Sequence, residues 1–370
     1  MRSLYRKKSF SFPVSTLVGS SYSNFKEVIK GRNISKGYRS KYFLTKWVTW
    51  ILGWFSLIEK KKYGKVVKNH KIEEPPVFIL GFWRSGTTLL HNLMCQNPDF
   101  GFTNTFQSVF PNHCLLNQFW LKAIAQNLLP EKRPGDNVKF DFSFPQEEEI
   151  ALGNMQPISF YNFFYFPQDT KEFIDQALLF KDVPEKEFKN WEENYKTLIK
   201  TALINTKGKR YISKNPPNTF RIKQLLKMFP DAKFIHIDRD IYETLFSFIG
   251  FTKAVREGIK HQDYNLAEQE IVLIKLYKLM HQQYETDKKL IPKGQLVEIK
   301  FDYFENHKLE EIERIYIELG LKDYDKALPL MEEYLKEIGD YQRNNHTLDD
   351  RFKKKIDNEL GDFAKGKLAV

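Results

Sequence analysis

The sequence predicts an α/β fold: a three-layer α/β/α arrangement around a mostly parallel central sheet, enlarged by helical insertions. Three observations carry this reading. Short runs rich in β-branched and aromatic residues, at Val77–Gly81, Arg210–Ser213, Ala232–Ile237 and Gln295–Ile299, have the length and continuity of buried strands. Each is followed by a helix-period segment, and that alternation calls for parallel strands covered on both faces. No Gly/Ser-rich linker divides the chain after residue 75, so 370 residues suit one α/β unit with insertions.

In chain order, residues 1–74 read as a basic, helical amino-terminal extension, and residues 75–370 as the main domain. Within the extension, WVTWILGWFSLI spans Trp47 to Ile58 and runs directly into Glu59 and Lys60–Lys61–Lys62. A membrane span needs about 20 apolar residues, so this segment is too short to cross. Its three tryptophans and basic flank suit a helix lying in a membrane interface. The alternative is a helix packed over an apolar acceptor pocket or the core, and the sequence favours that alternative. The first fifteen residues lack a secretory-signal pattern.

After the first strand, Thr87–Gln96 should be helical until Pro98. Residues 101–208 read as an acceptor-side insertion. Its first part, 101–145, mixes Phe, Pro and Asn, with one helix expected around Leu115–Leu129 and a lid as a candidate role. Acids at 147–149 open an apolar helix, where negative charge faces the positive helix end. ISFYNFFYF, at 158–166, suits a core or an apolar acceptor pocket. Helices are then expected at Asn218–Met228, from Asp240 onward, and over 266–284, 307–319, 325–337 and 349–359.

Composition narrows the partners. Lys plus Arg number 58 against 47 Asp plus Glu, a formal charge of +11. Such a surface attracts anions in general. No zinc-finger spacing, RNA-binding aromatic signature or concentrated Arg tract points to nucleic acid. Cys95 and Cys114 form no Cys-x-x-Cys pair, which indicates a reducing, cytoplasmic setting, with attachment to the inner membrane face left open.

The chemistry concentrates in GFWRSGTT, residues 81–88, between the first strand and its helix. Successive backbone amides at a helix start cradle an anion. Gly81 and Gly86 permit close backbone approach. Ser85, Thr87 and Thr88 add hydroxyl donors, and Arg84 adds a planar, permanent charge. The loop is P-loop-like, but Thr87 stands where a Walker loop carries Lys. That substitution weakens a kinase-like reading and leaves a nucleotide phosphate held without Walker chemistry. A second basic site is HIDRDIYETLFSF, with Arg239 at a strand end and Ser247 eight residues on. Ser247 lies roughly 10–12 Å along the helix from its start, within reach of a long arginine. Arg239 pairing with Asp238 or Asp240 is the alternative, and Asp240 reads as a helix cap.

FILGFWRSGTT resembles the 5′-phosphosulfate-binding loop of the sulfotransferase family. KNPPNTFRIKQLLKMFPDAKFIHIDRDIYETLFSF resembles that family's central block and 3′-phosphate-binding segment, and residues 75–345 look closest to its broad bacterial branch. The resemblance implies 3′-phosphoadenosine 5′-phosphosulfate (PAPS) as donor substrate, no metal, and a hydroxyl or amine acceptor on a lipid, glycan or small molecule. It assigns Arg84, Ser85, Gly86, Thr87 and Thr88 to the 5′ end of the donor. Arg239 and Ser247 would hold the 3′-phosphate, and Arg343 in YQRNNHTL would close over it. Arg84 and Lys214, in YISKNPPN, would stabilise the transferring group. Pro216 and Asn218 occupy positions where relatives carry histidine, so the base is sought in PQEEEIAL: Glu148 first, Glu147 close behind, with Glu149 the third candidate. His113 is an alternative base, and His91 and His236 are weaker. A kinase-like enzyme and an inactive nucleotide- or membrane-binding protein are the competing readings.

Overall fold

The computed structural model describes residues 13–126, 141–339, 350–364 and 366. Five parallel strands form one sheet in the order β2-β3-β1-β4-β5. They are β1 (Val77–Leu80), β2 (Phe100–Gly101), β3 (Arg210–Lys214), β4 (Lys233–Asp238) and β5 (Leu296–Lys300). Four match the expected strands to within a residue or two. The fifth, β2, is a two-residue edge strand in a stretch read as loop; two residues are too few to show alternation.

Side-chain alternation builds the three layers. Phe78, Leu80, Tyr211 and Phe234 face one core, with Trp191, Tyr195, Leu198 and Ile199 of the helix Glu185–Thr206 and with Leu245, Phe248 and Tyr277 of the helices Ile241–Ile259 and Leu266–Asp287. Val77, Ile79, Ile212, Ile235 and Ile237 face the opposite core, with Leu90 and Leu93 of Thr87–Met94, Ile312 and Ile315 of Lys308–Leu319, and Met331 of Tyr324–Ile338. The 22-residue helix Glu185–Thr206 lies within the region expected to be an insertion.

Leu17, Phe25 and Val28, from the segment before residue 75, pack in the same cluster as Phe78 and Leu80. In the region after β2, a short helix Thr105–Val109 is capped by Asn104, and a second helix runs over Gln118–Gln126; the rest of the expected helix to Leu129 lies outside the described residues. The 218–228 segment divides into a 3-10 turn, Pro216–Phe220, and a helix Ile222–Met228. Pro216 and Pro217 cannot donate amide hydrogen bonds, which suits the tighter opening turn. The aromatic run 158–166 is core: Phe160, Phe163, Phe164, Tyr165 and Phe166 are buried.

β1 is central: the chain runs from it to β2 and β3 on one side and then crosses to β4 on the other. Crevices at the carboxyl ends of strands form at such a reversal. The register Ile79↔Lys214 and Leu80↔His236 places the ends of β3 and β4 on either side of the loop that follows β1.

Candidate active site

The turn after β1 is shaped by two glycines and one strained arginine. Gly81 has φ +140°, and a Cβ there would lie 2.6 Å from the Ile237 carbonyl oxygen. Gly86 has φ +98°, and its Cβ would fall within 2.1 Å of the Phe301 ring. Arg84 takes φ 70°, an uncommon conformation for a non-glycine residue that is retained where neighbouring structure enforces it. The enforcement comes from Phe82 and Trp83. Both are buried: Phe82 packs edge-on to Phe248 and Tyr277, and Trp83 stacks on Phe248 and contacts Phe160. The aromatic pair anchors the turn inward and directs Arg84 away from the core.

Hydrogen bonds fix the remaining loop. The Gly81 amide donates to Thr219 Oγ1 at 2.9 Å, and Ser85 Oγ donates to the Phe82 carbonyl at 2.7 Å. Thr87, buried, and Thr88, half-buried, open the helix Thr87–Met94, so its first amides face the loop mouth.

The second basic residue meets this loop. Arg239 leaves β4, donates to the Arg84 carbonyl at 3.2 Å and lies over the Phe301 ring at 4.4 Å. Its Nε and Nη2 donate to Glu243 Oε2 at 3.2 and 2.8 Å. Neither neighbouring aspartate is that partner. Asp238 pairs with Lys300, while Asp240 caps the next helix by accepting from the Glu243 amide at 2.9 Å. Ser247 accepts from Arg84 Nε at 2.9 Å, so the arginine that reaches it comes from the loop. Arg84, Arg239 and Ser247, separated by up to 163 positions, thus form one contiguous polar group. Arg343 lies outside the described residues.

The three consecutive glutamates have three different environments. Glu149 is buried and accepts from both ends of the Arg221 guanidinium at 2.7 and 2.9 Å, from Asn215 at 2.8 Å and from the Phe160 amide at 2.7 Å. Burial opposes its ionisation, but the Arg221 charge and these donors prevail and hold its carboxyl below the usual value. Glu148 is also sealed from solvent. Its Oε1 accepts from Tyr195 at 2.6 Å, from Ser213 and from Asn218 at 3.2 Å, while buried Oε2 has no partner among the described residues. Burial raises its carboxyl above the usual value, against the pull of the Ser213 and Tyr195 hydroxyls. Glu147 is 20% exposed and accepts from Lys214 Nζ at 2.7 Å; the Lys214 side chain is 1% exposed. Of the three, only Glu147 has a partly exposed side chain, and its cation, Lys214, stands at the carboxyl end of β3.

Burial holds the three candidate histidines below the usual imidazole value. Burial, helped by the Lys214 charge, pushes His91 down to about 3; burial alone pushes His113 to about 4, and burial first among several influences pushes His236 to about 3. Sequence reasoning missed Thr219, Tyr195 and Ser213, whose bonds to Gly81 and Glu148 join positions 47 to 138 apart. Phe301, not among the candidate residues, lies against both the loop glycine Gly86 and Arg239; its position just after a strand was its only signal.

Residues 75–326 match the model of the Sulfotransferase family. The chain is 28% identical over 309 residues to omega-hydroxy-beta-dihydromenaquinone-9 sulfotransferase Stf3 from Mycobacterium bovis and from Mycobacterium tuberculosis, covering 83% of this chain and 78% of theirs. Among solved structures it resembles sulfotransferase STF9 from Mycobacterium avium (TM-score 0.72, 15% identity, 93% of this chain and 89% of that one). It also resembles sulfotransferase STF1 from Mycobacterium tuberculosis H37Rv (TM-score 0.64, 15% identity, 93% of each chain). At such identity the structural likeness establishes the fold, and the family match over two thirds of the sequence goes further: the chain belongs to the PAPS-dependent sulfotransferase family.

Proposed function

We propose that this sulfotransferase moves the sulfuryl group of PAPS to a hydroxyl at the end of an apolar, membrane-borne acceptor. The observation that carries the donor side is the contact of Arg239 with the Arg84 carbonyl, together with the Arg84–Ser247 hydrogen bond. Two basic side chains and a hydroxyl at one sheet edge suit a nucleotide with phosphates at both its 5′ and 3′ positions. Arg84 and the amides at Thr87 and Thr88 would take the 5′ end, and Arg239 and Ser247 the 3′-phosphate. The Glu243 carboxylate beside Arg239 fixes the guanidinium plane before a phosphate arrives.

In the reaction, the acceptor oxygen forms a bond to sulfur while the bridging sulfur–oxygen bond to the 5′-phosphate breaks. The products are a sulfate ester and adenosine 3′,5′-bisphosphate. Glu147 receives the acceptor proton. Lys214 and Arg84 oppose the charge that develops as the bridge breaks. Glu148, the first candidate from sequence, is assigned here as a buried support for β3, because its side chain is fully buried and its Oε1 already accepts from Tyr195, Ser213 and Asn218. Glu149 and Arg221 brace the same segment.

The acceptor class is supported by the relatives, whose name gives an ω-hydroxylated dihydromenaquinone as their substrate. It is also supported by Trp47, Trp50 and Trp54, exposed on the helix Arg39–Asn69. Action at the inner face of the membrane fits two free cysteines with no disulfide between them. Incubation with labelled PAPS and two primary alcohols, one long-chain and one short, tests the reading. Sulfation of the long-chain alcohol with a clearly higher kcat/KM is expected; equal use of both, or preference for a polar glycan, would reject the acceptor class.

A further inference from the structure

The helix Arg39–Asn69 is inside out. Its buried positions are Lys41, Thr45, Thr49, Leu52 and Glu59, mostly polar. Its exposed positions include Phe43, Trp47, Trp50, Trp54, Leu57 and Ile58. Spacings of four, three, four and three place Phe43, Trp47, Trp50, Trp54 and Leu57 on one stripe. Phe43, Trp47 and Trp54 are 60%, 62% and 60% exposed. The expectation that this segment packs its aromatic side over a pocket or the core is therefore not met.

The orientation is set by the polar side. Lys41 donates to the Gly258 carbonyl at 2.5 Å, Thr45 accepts from the Ser15 amide at 3.0 Å, and Thr49 donates to the Leu17 carbonyl at 3.3 Å. Glu59 accepts from the amides of Leu115, Leu116 and Asn117 at 2.9 to 3.2 Å. Rotating the helix to hide its tryptophans would bury or break all of these bonds, so the outward aromatic stripe is a fixed feature of the folded chain. A groove of ≈ 710 Å³, lined by Tyr22, Phe43, Leu44, Lys46, Trp47 and Trp50, continues the stripe toward the preceding helix. The neighbouring helix Gln118–Gln126, joined through the Phe55–Trp120 ring contact, carries Phe119 at 87% exposure.

We propose that this stripe is a docking surface for an anionic phospholipid bilayer, which the helix lies on and does not cross. No described helix is long and apolar enough to span a membrane. Charge complementarity selects the occupant. Lys60, Lys61 and Lys62 are exposed at the end of the aromatic stripe, and Lys65 and Lys68 continue the basic run. Tryptophan beside lysine is the composition that settles at headgroup depth, the rings in the acyl boundary and the ammonium groups among lipid phosphates. A second copy of this chain, with the same net charge of +11, supplies no matching negative surface for these lysines. The inference rests on the apolar-acceptor reading: docking would deliver the enzyme to the bilayer in which such an acceptor is dissolved.

Vesicle co-sedimentation of the full chain tests it, with phosphatidylcholine alone and with phosphatidylglycerol added. Trp47→Ser/Trp50→Ser/Trp54→Ser and Lys60→Glu/Lys61→Glu/Lys62→Glu are compared with the wild type, with affinity for adenosine 3′,5′-bisphosphate measured on each. Binding to the anionic vesicles is expected, weakened about tenfold or more in either variant and by high salt, with bisphosphate affinity unchanged. Wild type that stays in solution while binding the bisphosphate would overturn the docking surface alone. So would vesicle binding that survives the tryptophan changes, or a wild-type dimer that those changes dissolve. Vesicle binding without bisphosphate binding would instead overturn the donor reading.

Discussion

The Gly81–Gly86 loop and the Glu147–Glu149 run are both short, both chemically loud in sequence, and placed by quite different rules. The loop is a local device. Its glycines, its strained Arg84 and the helix that follows are consecutive, so spacing specifies most of its shape. The glutamates are sorted by distant partners. Arg221 claims one, Tyr195, Ser213 and Asn218 claim the next, and Lys214 claims the one nearest the surface. Glu149 opens a helix, Glu148 is its N-cap and Glu147 lies before it in irregular backbone, so three like residues enter three environments. Local sequence therefore locates a group of candidate bases without choosing among them.

The largest loss of activity is expected at Glu147. Glu147→Gln removes the reachable carboxylate and is expected to slow turnover by on the order of 10³, with bisphosphate affinity unchanged in calorimetry. Next comes Glu149→Gln, which leaves the Arg221 charge buried with a weakened partner. It should cost about 3 kcal/mol of stability in denaturant titration, while the folded fraction retains its affinity for the bisphosphate. The smallest effect belongs to Glu148→Gln. The amide oxygen can still accept from Tyr195 and Ser213, so turnover should fall by less than about threefold. A large turnover loss there, with normal turnover in Glu147→Gln, would return the base to the residue that sequence put first.

The same pair separates by pH. Glu148 has a folded-state pKa above the ordinary 4.5, so the native state holds its proton longer than the unfolded chain does. Its contribution is complete below 4.5 and is lost as pH rises toward the raised value. Glu149 is shifted downward, so its contribution is present above 4.5 and lost as pH falls through the lowered value. The melting temperature of Glu148→Gln should therefore improve relative to wild type as pH rises from 4.5. That of Glu149→Gln should approach wild type as pH falls below 4.5. Parallel melting curves across that range would contradict both assignments.

What could be read from sequence follows the same division. Strands β1, β3, β4 and β5 are continuous apolar runs long enough to show themselves, and β2, at two residues, is not. Arg84, Arg239 and Ser247 were found together, but the contact that joins Ser247 to Arg84 depends on how β4 aligns with β1, which no local pattern encodes. The helix Arg39–Asn69 was legible as a helix and misread in orientation. Hydrophobicity alone points its tryptophans inward, whereas backbone groups of Ser15, Leu17, Leu115 and Gly258 claim its polar face.

In the proposed donor complex, Arg239 and the loop carrying Arg84 hold opposite phosphate ends of one adenosine nucleotide. Calorimetric titration of wild type and Arg239→Ala with adenosine 3′,5′-bisphosphate and with adenosine 5′-monophosphate tests it as a thermodynamic cycle. Wild type should prefer the bisphosphate by about tenfold or more, a charge-assisted contact of about 1.5–3 kcal/mol, and Arg239→Ala should bind the two nucleotides alike. A variant that keeps the full preference would show that the 3′-phosphate is held elsewhere.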